Sequence, residues 1–263
     1  MTHWTEAIIE GVLLGAFMFT ACSAVVVFCH PSSPVARAIT RPLARRGCIG
    51  VLMGLTAIAL IHSPWGQKSG AHMNPGTTLV FTLLGKVPWK VAVMYPIGQF
   101  AGGFLGVGLA RMAWGKHVAH ESVRYASTLP GAHGTVVAFL GELIISSLLM
   151  SVVLWMSNTA SAAPYTGIIA GCMVASFITI EAPLSGMSMN PARTLSSGLW
   201  SRRFDGLWIY FTAPPIGMLL AAGLYVGARG VDAVYCAKLQ HPHEGPCLFE
   251  CDIDRMPGRV PVP

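Results

Sequence analysis

Charged residues are scarce in this sequence. Asp, Glu, Lys and Arg make up 11% of its 263 residues, whereas a soluble globular chain carries about a quarter. Hydrophobic residues reach 53%, and the mean hydropathy is +0.59. This balance excludes an ordinary soluble domain and is typical of a protein that crosses a membrane.

Other absences narrow the function. The net charge of +6 contains no dense Lys/Arg run interleaved with aromatic residues, so we expect anionic lipid headgroups as its partner and no nucleic acid. No nucleophile with a base, phosphate loop or zinc-protease spacing is present, which argues against an enzyme. The first apolar run contains Glu10 and has no basic front end, so we interpret it as a membrane span and not as a signal peptide.

Apolar runs predict six membrane spans in an all-α membrane protein. A helix needs about 20 residues to cross the hydrocarbon core. Runs of that length lie near residues 7–29, 88–110, 135–156 and 207–226. Shorter runs lie near residues 48–61 and 165–184.

The chain contains an internal duplication. "SGAHMNPGTT" at residues 69–78 and "SGMSMNPART" at residues 185–194 share Ser-Gly and Met-Asn-Pro. Glu10 and Glu142 also take matching places, early in the first and fourth spans. Three spans per copy is an odd number, so the second copy must cross the bilayer upside down, as in the inverted repeats of many transport proteins.

Each paired phrase predicts a half-helix that starts in mid-membrane. Asn74 and Asn190 each precede a Pro, a residue that favours the first position of a helix. The apolar stretches that follow, 77–84 and 194–200, are too short to cross. Because the repeats are inverted, these half-helices are expected to approach the midplane from opposite sides. Irregular backbone at that depth must be buried in protein or line a wet cavity.

The span pattern and the two Asn-Pro phrases resemble the aquaporin, or major intrinsic protein, family, in its bacterial type. In that family both motifs read Asn-Pro-Ala and the second ends in Arg. Here the second motif is Asn190-Pro191-Ala192-Arg193, and the first is the variant Asn74-Pro75-Gly76. The resemblance implies an aquaporin-like channel domain over residues 1–228, with six transmembrane helices and two half-helices in inverted repeats of about 6–112 and 135–228.

The resemblance implies a passive channel for water and other small uncharged solutes, such as glycerol, ammonia, hydrogen peroxide and metalloid hydroxides, that excludes protons and ions. Facing half-helix N-termini repel cations, and the amides of Asn74 and Asn190 donate to a passing molecule. For each Asn the alternative is a helix cap in a buried loop. The alternative function is a non-conducting structural membrane protein of the same fold whose tail binds a metal or a partner.

A selectivity filter follows from the same resemblance. Its implied members are Arg193, Ile178, Met187 and, from the second span, Met53 or Gly54. Ile178 stands where water-selective members carry His, which argues against strict water selectivity, whereas Tyr210 and Phe211 are typical of the water branch. For Arg193 the alternative is an interfacial residue that reaches the headgroups.

Three further residues are implied to support the pore. Glu10 and Glu142 would accept hydrogen bonds from the loops that carry the Asn residues, and His72 would line the inner approach. A buried His with satisfied hydrogen bonds is the alternative for His72. Gly76, which lacks the methyl group of the family's Ala, predicts either a looser midplane or closer packing.

The tail at residues 229–263 has a different character. Five soft metal ligands fall within 16 residues: Cys236, His241, His243, Cys247 and Cys251. Their spacing matches no Cys-x2-Cys pattern, so a metal site and a polar tail without metal both stay open. The channel itself requires no cofactor.

Family membership would also set the cellular context. It implies a multi-pass protein of the cell membrane, inner or plasma, with cytoplasmic termini, assembled as a homotetramer in the lipid bilayer. That orientation places the basic loops outside, among them the one with Arg37, Arg41, Arg45 and Arg46. The preference of cytoplasmic loops for Lys and Arg predicts the reverse.

Overall fold

The computed structural model describes residues 3–241 and 247–259. Within them the chain forms helices and turns and no β-strand. The α-helices are α1 (Trp4–Cys29), α2 (Pro34–Ala38), α3 (Pro42–His62), α4 (Pro64–Ser69), α5 (Pro75–Leu83), α6 (Trp89–Trp114), α7 (Gly134–Ser157), α8 (Thr166–Ile180), α9 (Ala182–Ser185), α10 (Pro191–Ser201) and α11 (Leu207–Arg229). Short 3-10 turns follow at Gly115–Ala119, Arg124–Ala126, Ala163–Tyr165, Val231–Ala233 and Ile253–Arg255.

Six of these helices are long and apolar enough to cross a membrane: α1, α3, α6, α7, α8 with the turn before it, and α11. The predicted fold class and the six spans are therefore confirmed. Helices α5 and α10 have 9 and 11 residues, too few to cross about 30 Å of hydrocarbon. They are the two half-helices, and each begins at the Pro that follows a motif Asn.

Two span boundaries differ from the sequence prediction. Helix α3 begins at Pro42 and not near residue 48, because Arg45 bonds back onto the preceding loop. Its Nε donates to the carbonyl of Ile39 at 2.6 Å and its Nη2 to that of Ala36 at 2.5 Å. Helix α8 ends at Ile180 and not at residue 184, because a new helical turn with Pro183 in its first positions begins at Ala182.

The helices pack as two interlocked repeats. Helix α1 lies along α6 in the first repeat, α11 lies along α7 in the second, and α3 packs on α8 between the repeats. Each half-helix crosses over, so that α5 contacts α11 and α10 contacts α6. Each re-entrant segment is thereby held by the third span of the opposite repeat.

Glycine allows the closest helix crossings. A Cβ atom at Gly102 of α6 would lie 1.9 Å from the carbonyl oxygen of Gly11 on α1. A Cβ at Gly54 of α3 would lie 2.5 Å from the carbonyl oxygen of Gly171 on α8. No side chain fits at these distances, so small residues bring the spans into backbone contact, as is common between membrane helices.

The bundle has two ends, which we name by their segments. The terminal face carries the loop of residues 63–74 and the tail, and here the Leu239 amide donates to the carbonyl of Gly70 at 3.2 Å. The far face carries the loops of residues 30–41, 115–133 and 181–190. There the Gly131 amide donates to the carbonyl of Leu184 at 2.9 Å.

The tail is packed onto the terminal face. Val234 and Ala237 are fully buried, and they share one hydrophobic cluster with Phe81 of α5 and Tyr95 of α6. The described part of the tail is thus continuous with the core of the first repeat.

Candidate functional site

The two motif loops have the same unusual backbone. Ala71 and Met187 have φ of 55° and 53°, and Met73 and Met189 have φ of 48° and 54°. Side-chain-bearing residues rarely adopt this left-handed conformation, and it persists only where the surroundings enforce it. Both loops must therefore be held by strong local contacts.

Glu10 supplies those contacts in the first repeat. Its fully buried carboxylate accepts hydrogen bonds from Ser69 Oγ at 2.7 Å and from the backbone amides of His72 at 3.0 Å and Met73 at 2.5 Å. Gln99 Nε2 on α6 donates a fourth, at 2.9 Å. A carboxylate with so many donors serves to fix the loop.

Glu142 repeats the arrangement in the second half. It is fully buried and accepts from Ser185 Oγ and from the backbone amides of Ser188 and Met189, each at 2.7 Å. The structure therefore places the two carboxylates, paired in the sequence, at equivalent points below the two loops.

Two tyrosines complete the loop supports, and sequence reasoning missed this role. Tyr95 OH donates to the carbonyl of Ser69 at 2.7 Å, and Tyr210 OH donates to that of Ser185 at 2.5 Å. From the sequence, we interpreted Tyr210 only as a marker of solute preference. A comparison of the two repeats could have revealed this role, because the two tyrosines occupy matching places in the third span of each repeat.

Each motif Asn caps its own half-helix. Asn74 Oδ1 accepts from the Gly76 amide at 2.9 Å. Asn190 Oδ1 accepts from the amides of Ala192 at 3.0 Å and Arg193 at 3.2 Å. Pro75 and Pro191, which have no N–H to be capped, occupy the first helical position.

The same two residues also join the repeats. Asn74 Nδ2 donates to the carbonyl of Met189, and Asn190 Nδ2 donates to the carbonyl of Met73, both at 2.7 Å. A side-chain amide has two N–H donors, so one donor of each Asn holds the opposite loop. Both Asn residues line a cavity of about 120 Å³ between the spans. Each Asn is therefore both a helix cap and a cavity-lining residue.

A second and larger cavity, of about 440 Å³, opens toward the far face. Its wall includes four of the proposed filter residues: Met53, Ile178, Met187 and Arg193. Arg193 also lines the 120 Å³ cavity, so the two cavities meet at its side chain. Of the two filter candidates on α3, Gly54 packs against Gly171 of α8 and does not line this cavity. Met53 lines it and is retained as the candidate.

Arg193 lines both cavities and has an unpartnered donor. Its Nη1 is buried and has no hydrogen-bond partner among the described residues. Glu181, in the far-face loop, is also buried, and no salt bridge joins it to Arg193 within the described part of the chain. Burial raises the pKa of the Glu181 carboxyl to about 8.

Gly76 makes room for a neighbouring side chain. A Cβ at this position would lie 3.0 Å from Met218 Sδ on α11 and 3.3 Å from Asn74 Oδ1. Met218 is almost fully buried. The missing methyl group is therefore matched by close packing of a thioether, the second of the two predicted consequences.

His72 is buried and held on every side. Its Nε2 lies 2.9 Å from the carbonyl of Ala237 in the tail, and its Nδ1 lies 3.0 Å from Thr78 Oγ1. A carbonyl only accepts, so Nε2 carries the proton. The ring stacks between Phe81 and Phe249, with centroid distances of 5.5 and 5.4 Å. His72 lines the 120 Å³ cavity, yet both of its nitrogens are engaged by the protein.

Four of the five tail ligands come together. The ligand atoms of Cys236, His241, Cys247 and Cys251 all lie within 4.8 Å of one another. His243, the fifth, lies outside the described residues. All seven Cys of the chain are free thiols.

An inverted six-span bundle whose two capped half-helices meet beside a cavity lined by both motif Asn residues defines a passive membrane channel for water and small solutes. A sequence model of the family described as "Major intrinsic protein" matches residues 1–225. This chain belongs to the major intrinsic protein family.

Named relatives agree with that membership. The chain is 35% identical over 189 residues to "Probable aquaporin NIP-type" of Nicotiana alata, covering 70% of this chain and 66% of that protein. It is 31% identical over 226 residues to "Aquaporin NIP1-2" of Arabidopsis thaliana, covering 84% and 73%. The solved structure of the aquaglyceroporin from Plasmodium falciparum has the same fold, with a TM-score of 0.69 at 17% identity, covering 86% of this chain and 98% of that one.

Proposed function

We propose that this channel conducts water together with small uncharged solutes such as glycerol, ammonia, hydrogen peroxide and metalloid hydroxides, and that it excludes protons and ions. The observation that carries the proposal is the reciprocal bonding of Asn74 and Asn190 at the wall of one cavity. One N–H of each Asn holds the opposite loop, and the second is left to orient the oxygen of a passing molecule.

Electrostatics supports the exclusion of cations. Helices α5 and α10 both begin at this point, and each helix N-terminus carries about half a positive charge. Arg193 adds a full charge on the route to the far face. A neutral molecule that accepts hydrogen bonds gains donors here, whereas a cation meets only positive potential.

The filter chemistry supports solutes larger than water. Arg193 shares the 440 Å³ cavity with Met53, Ile178 and Met187, whose thioether and alkyl groups offer no strong hydrogen-bond donor. A mixed surface of this kind suits a solute with both hydroxyl and C–H groups. We therefore propose Arg193, Ile178, Met187 and Met53 as the filter.

We assign no catalytic activity, because the carboxylates of Glu10 and Glu142 are engaged by loop donors. We further propose a homotetramer in the cell membrane, with the terminal face toward the cytoplasm. In this orientation the far face lies outside, and some of its basic residues stabilise the fold by binding backbone carbonyls. Arg45 binds two carbonyls of its own loop, and Arg46 Nε donates to the carbonyl of Thr179 at 3.0 Å.

A swelling assay tests the proposal. Protein stripped of metal by a chelator is reconstituted into liposomes, and light scattering follows the flow of water, glycerol, urea and ammonia in the same preparation. We expect water and glycerol flow above that of empty liposomes. Flow at the lipid background, from protein that is folded by its melting profile, would favour the non-conducting alternative.

A further inference from the structure

The tail cluster has the geometry of a metal site. Cys236 Sγ and Cys247 Sγ lie 3.6 Å apart, and Cys251 Sγ lies 3.3 Å from His241 Nε2. Tetrahedral zinc, with Zn–S of about 2.3 Å and Zn–N of about 2.0–2.1 Å, separates two sulfurs by about 3.8 Å and a sulfur from a nitrogen by about 3.6 Å. Both observed distances lie close to these edges of the tetrahedron.

A disulfide between Cys236 and Cys247 fits the geometry less well than a metal site does. A disulfide requires about 2.05 Å between the sulfurs, well short of the 3.6 Å between Cys236 and Cys247. Three thiolates and one imidazole form a complete ligand set for structural zinc, a soft metal that takes four ligands. The ligands come from two separate segments of the tail, so one ion would cross-link them.

Both cross-linked segments reach the loop of the first motif. In the segment that starts at Cys236, the next residue, Ala237, accepts the hydrogen bond from His72, and Leu239 bonds Gly70 and lines the 120 Å³ cavity. In the segment that starts at Cys247, the ring of Phe249 stacks on His72 at an interplanar angle of 1°.

A second contact fixes the tail to the end of the first half-helix. The Glu250 amide donates to the carbonyl of Lys86 at 3.0 Å. Lys86 Nζ in turn donates to Asp252 Oδ2 at 2.8 Å. Within its described residues the tail has only two short 3-10 turns. It therefore has little secondary structure of its own to hold this shape, and a bound metal is a common substitute in such segments.

We propose that Cys236, His241, Cys247 and Cys251 bind one zinc ion, and that this ion holds the tail across the terminal-face mouth of the channel, so that loss of zinc opens it. The zinc site stands on its own geometry. The effect on the mouth rests on the proposed channel function.

Metal content tests the site. Purified protein is dialysed and its zinc is measured by elemental analysis, and cobalt is then substituted to record the absorption of a tetrahedral thiolate complex. We expect about one zinc per chain and a tetrahedral cobalt spectrum, with both lost in Cys247→Ser and retained in Cys172→Ser, which changes an exposed thiol of α8. Metal-free protein that binds neither ion, or a Cys236–Cys247 disulfide in mass spectrometry, would overturn the site.

Water flow tests the mouth. Zinc-loaded and chelator-stripped protein are compared in liposomes, and we expect at least a threefold faster flow after stripping. Phe249→Ala keeps all four ligands but removes the ring over His72, so it should retain zinc while its flow no longer depends on zinc. Cys172→Ser should respond as the unchanged chain does.

The outcomes separate the two claims. If the protein binds one zinc per chain but water flow is equal with and without zinc, the zinc site is supported and the closure of the mouth is overturned. Flow at the lipid background in the stripped protein and in Phe249→Ala would overturn both the closure and the channel function, while the metal analysis would still decide the site.

Discussion

The two motif loops share their support and differ in what they face. Glu10 and Glu142 bind their loops through equivalent donors, yet residue 72 is His and its counterpart at 188 is Ser. His72 reaches outward to the tail carbonyl of Ala237. Ser188 Oγ stays inside, 2.9 Å from the Asn190 carbonyl and 2.5 Å from Thr194 Oγ1.

This difference shows which part of the duplication can vary. The shared contacts hold the two Asn residues together, so a change in them affects both repeats. The backbone amide of the residue after the left-handed Ala71 or Met187 takes part in these contacts, but its side chain does not. In one copy this side chain bonds the tail, and in the other it bonds residues of its own motif segment and half-helix.

The largest expected effect is at Arg193, in the first turn of α10. Arg193→Trp places an indole where the two cavities meet, and we expect water flow to fall to the lipid background. Stopped-flow light scattering on liposomes measures it. Leu224→Trp, at a side chain on α11 that is 72% exposed, adds the same ring toward lipid and should keep the flow. Undiminished flow in Arg193→Trp would place the conducting path elsewhere.

The next largest effect compares the two carboxylates. Glu10→Gln and Glu142→Gln each place an amide donor among buried donors, and an unsatisfied buried group costs about 1–3 kcal/mol. We expect both variants to unfold at lower temperature in detergent, and Glu10→Gln more so because Gln99 adds a fourth donor. Tryptophan fluorescence follows the transition. A larger fall in melting temperature for Glu142→Gln than for Glu10→Gln would contradict the proposal that Glu10 holds its loop more strongly.

A smaller effect concerns the solutes. Ile178→His adds a longer, hydrogen-bonding ring beside Arg193, which should slow glycerol more than water by about tenfold, near the lower end of the discrimination that one such group provides. Parallel swelling assays with the two solutes give the ratio. An unchanged ratio would remove Ile178 from the filter.

The smallest effect is on stability at alkaline pH. The pKa of Glu181 is raised by burial from 4.5 to about 8, so the folded chain favours the protonated carboxyl. Its contribution to stability is complete below pH 4.5 and is lost as the pH rises toward 8. Glu181→Gln should therefore melt about 2–4 °C higher than the unchanged chain at pH 9, a shift of about 1 kcal/mol at this size. Below pH 4.5 the two should melt alike, and a gain confined to acid would reverse the assignment.

Much of the bundle was accessible from sequence because it depends on local patterns. Six apolar runs, an odd number of spans per copy and the paired Asn-Pro phrases were enough to predict the spans, the inversion and the meeting half-helices. The duplication also paired Glu10 with Glu142. These features persist because hydrocarbon allows few ways to satisfy backbone hydrogen bonds.

The rest depends on tertiary contacts that no local pattern displays. The tail gave no long apolar run, since its buried residues, such as Val234, Ala237 and Phe249, lie in short stretches between polar ones. The choice between Met53 and Gly54 depended on the length of a loop, and a shift of one residue turns a helix side chain by about 100°. Only the fold shows which of them faces the cavity.

The most direct test of the central claim is the osmotic water permeability of liposomes that contain the chelator-stripped chain, with a pH-sensitive dye inside. The account predicts water flow well above that of empty liposomes, with proton entry at the lipid rate. Water flow at the lipid rate, or proton entry that rises with it, would contradict a cation-repelling passage between Asn74 and Asn190.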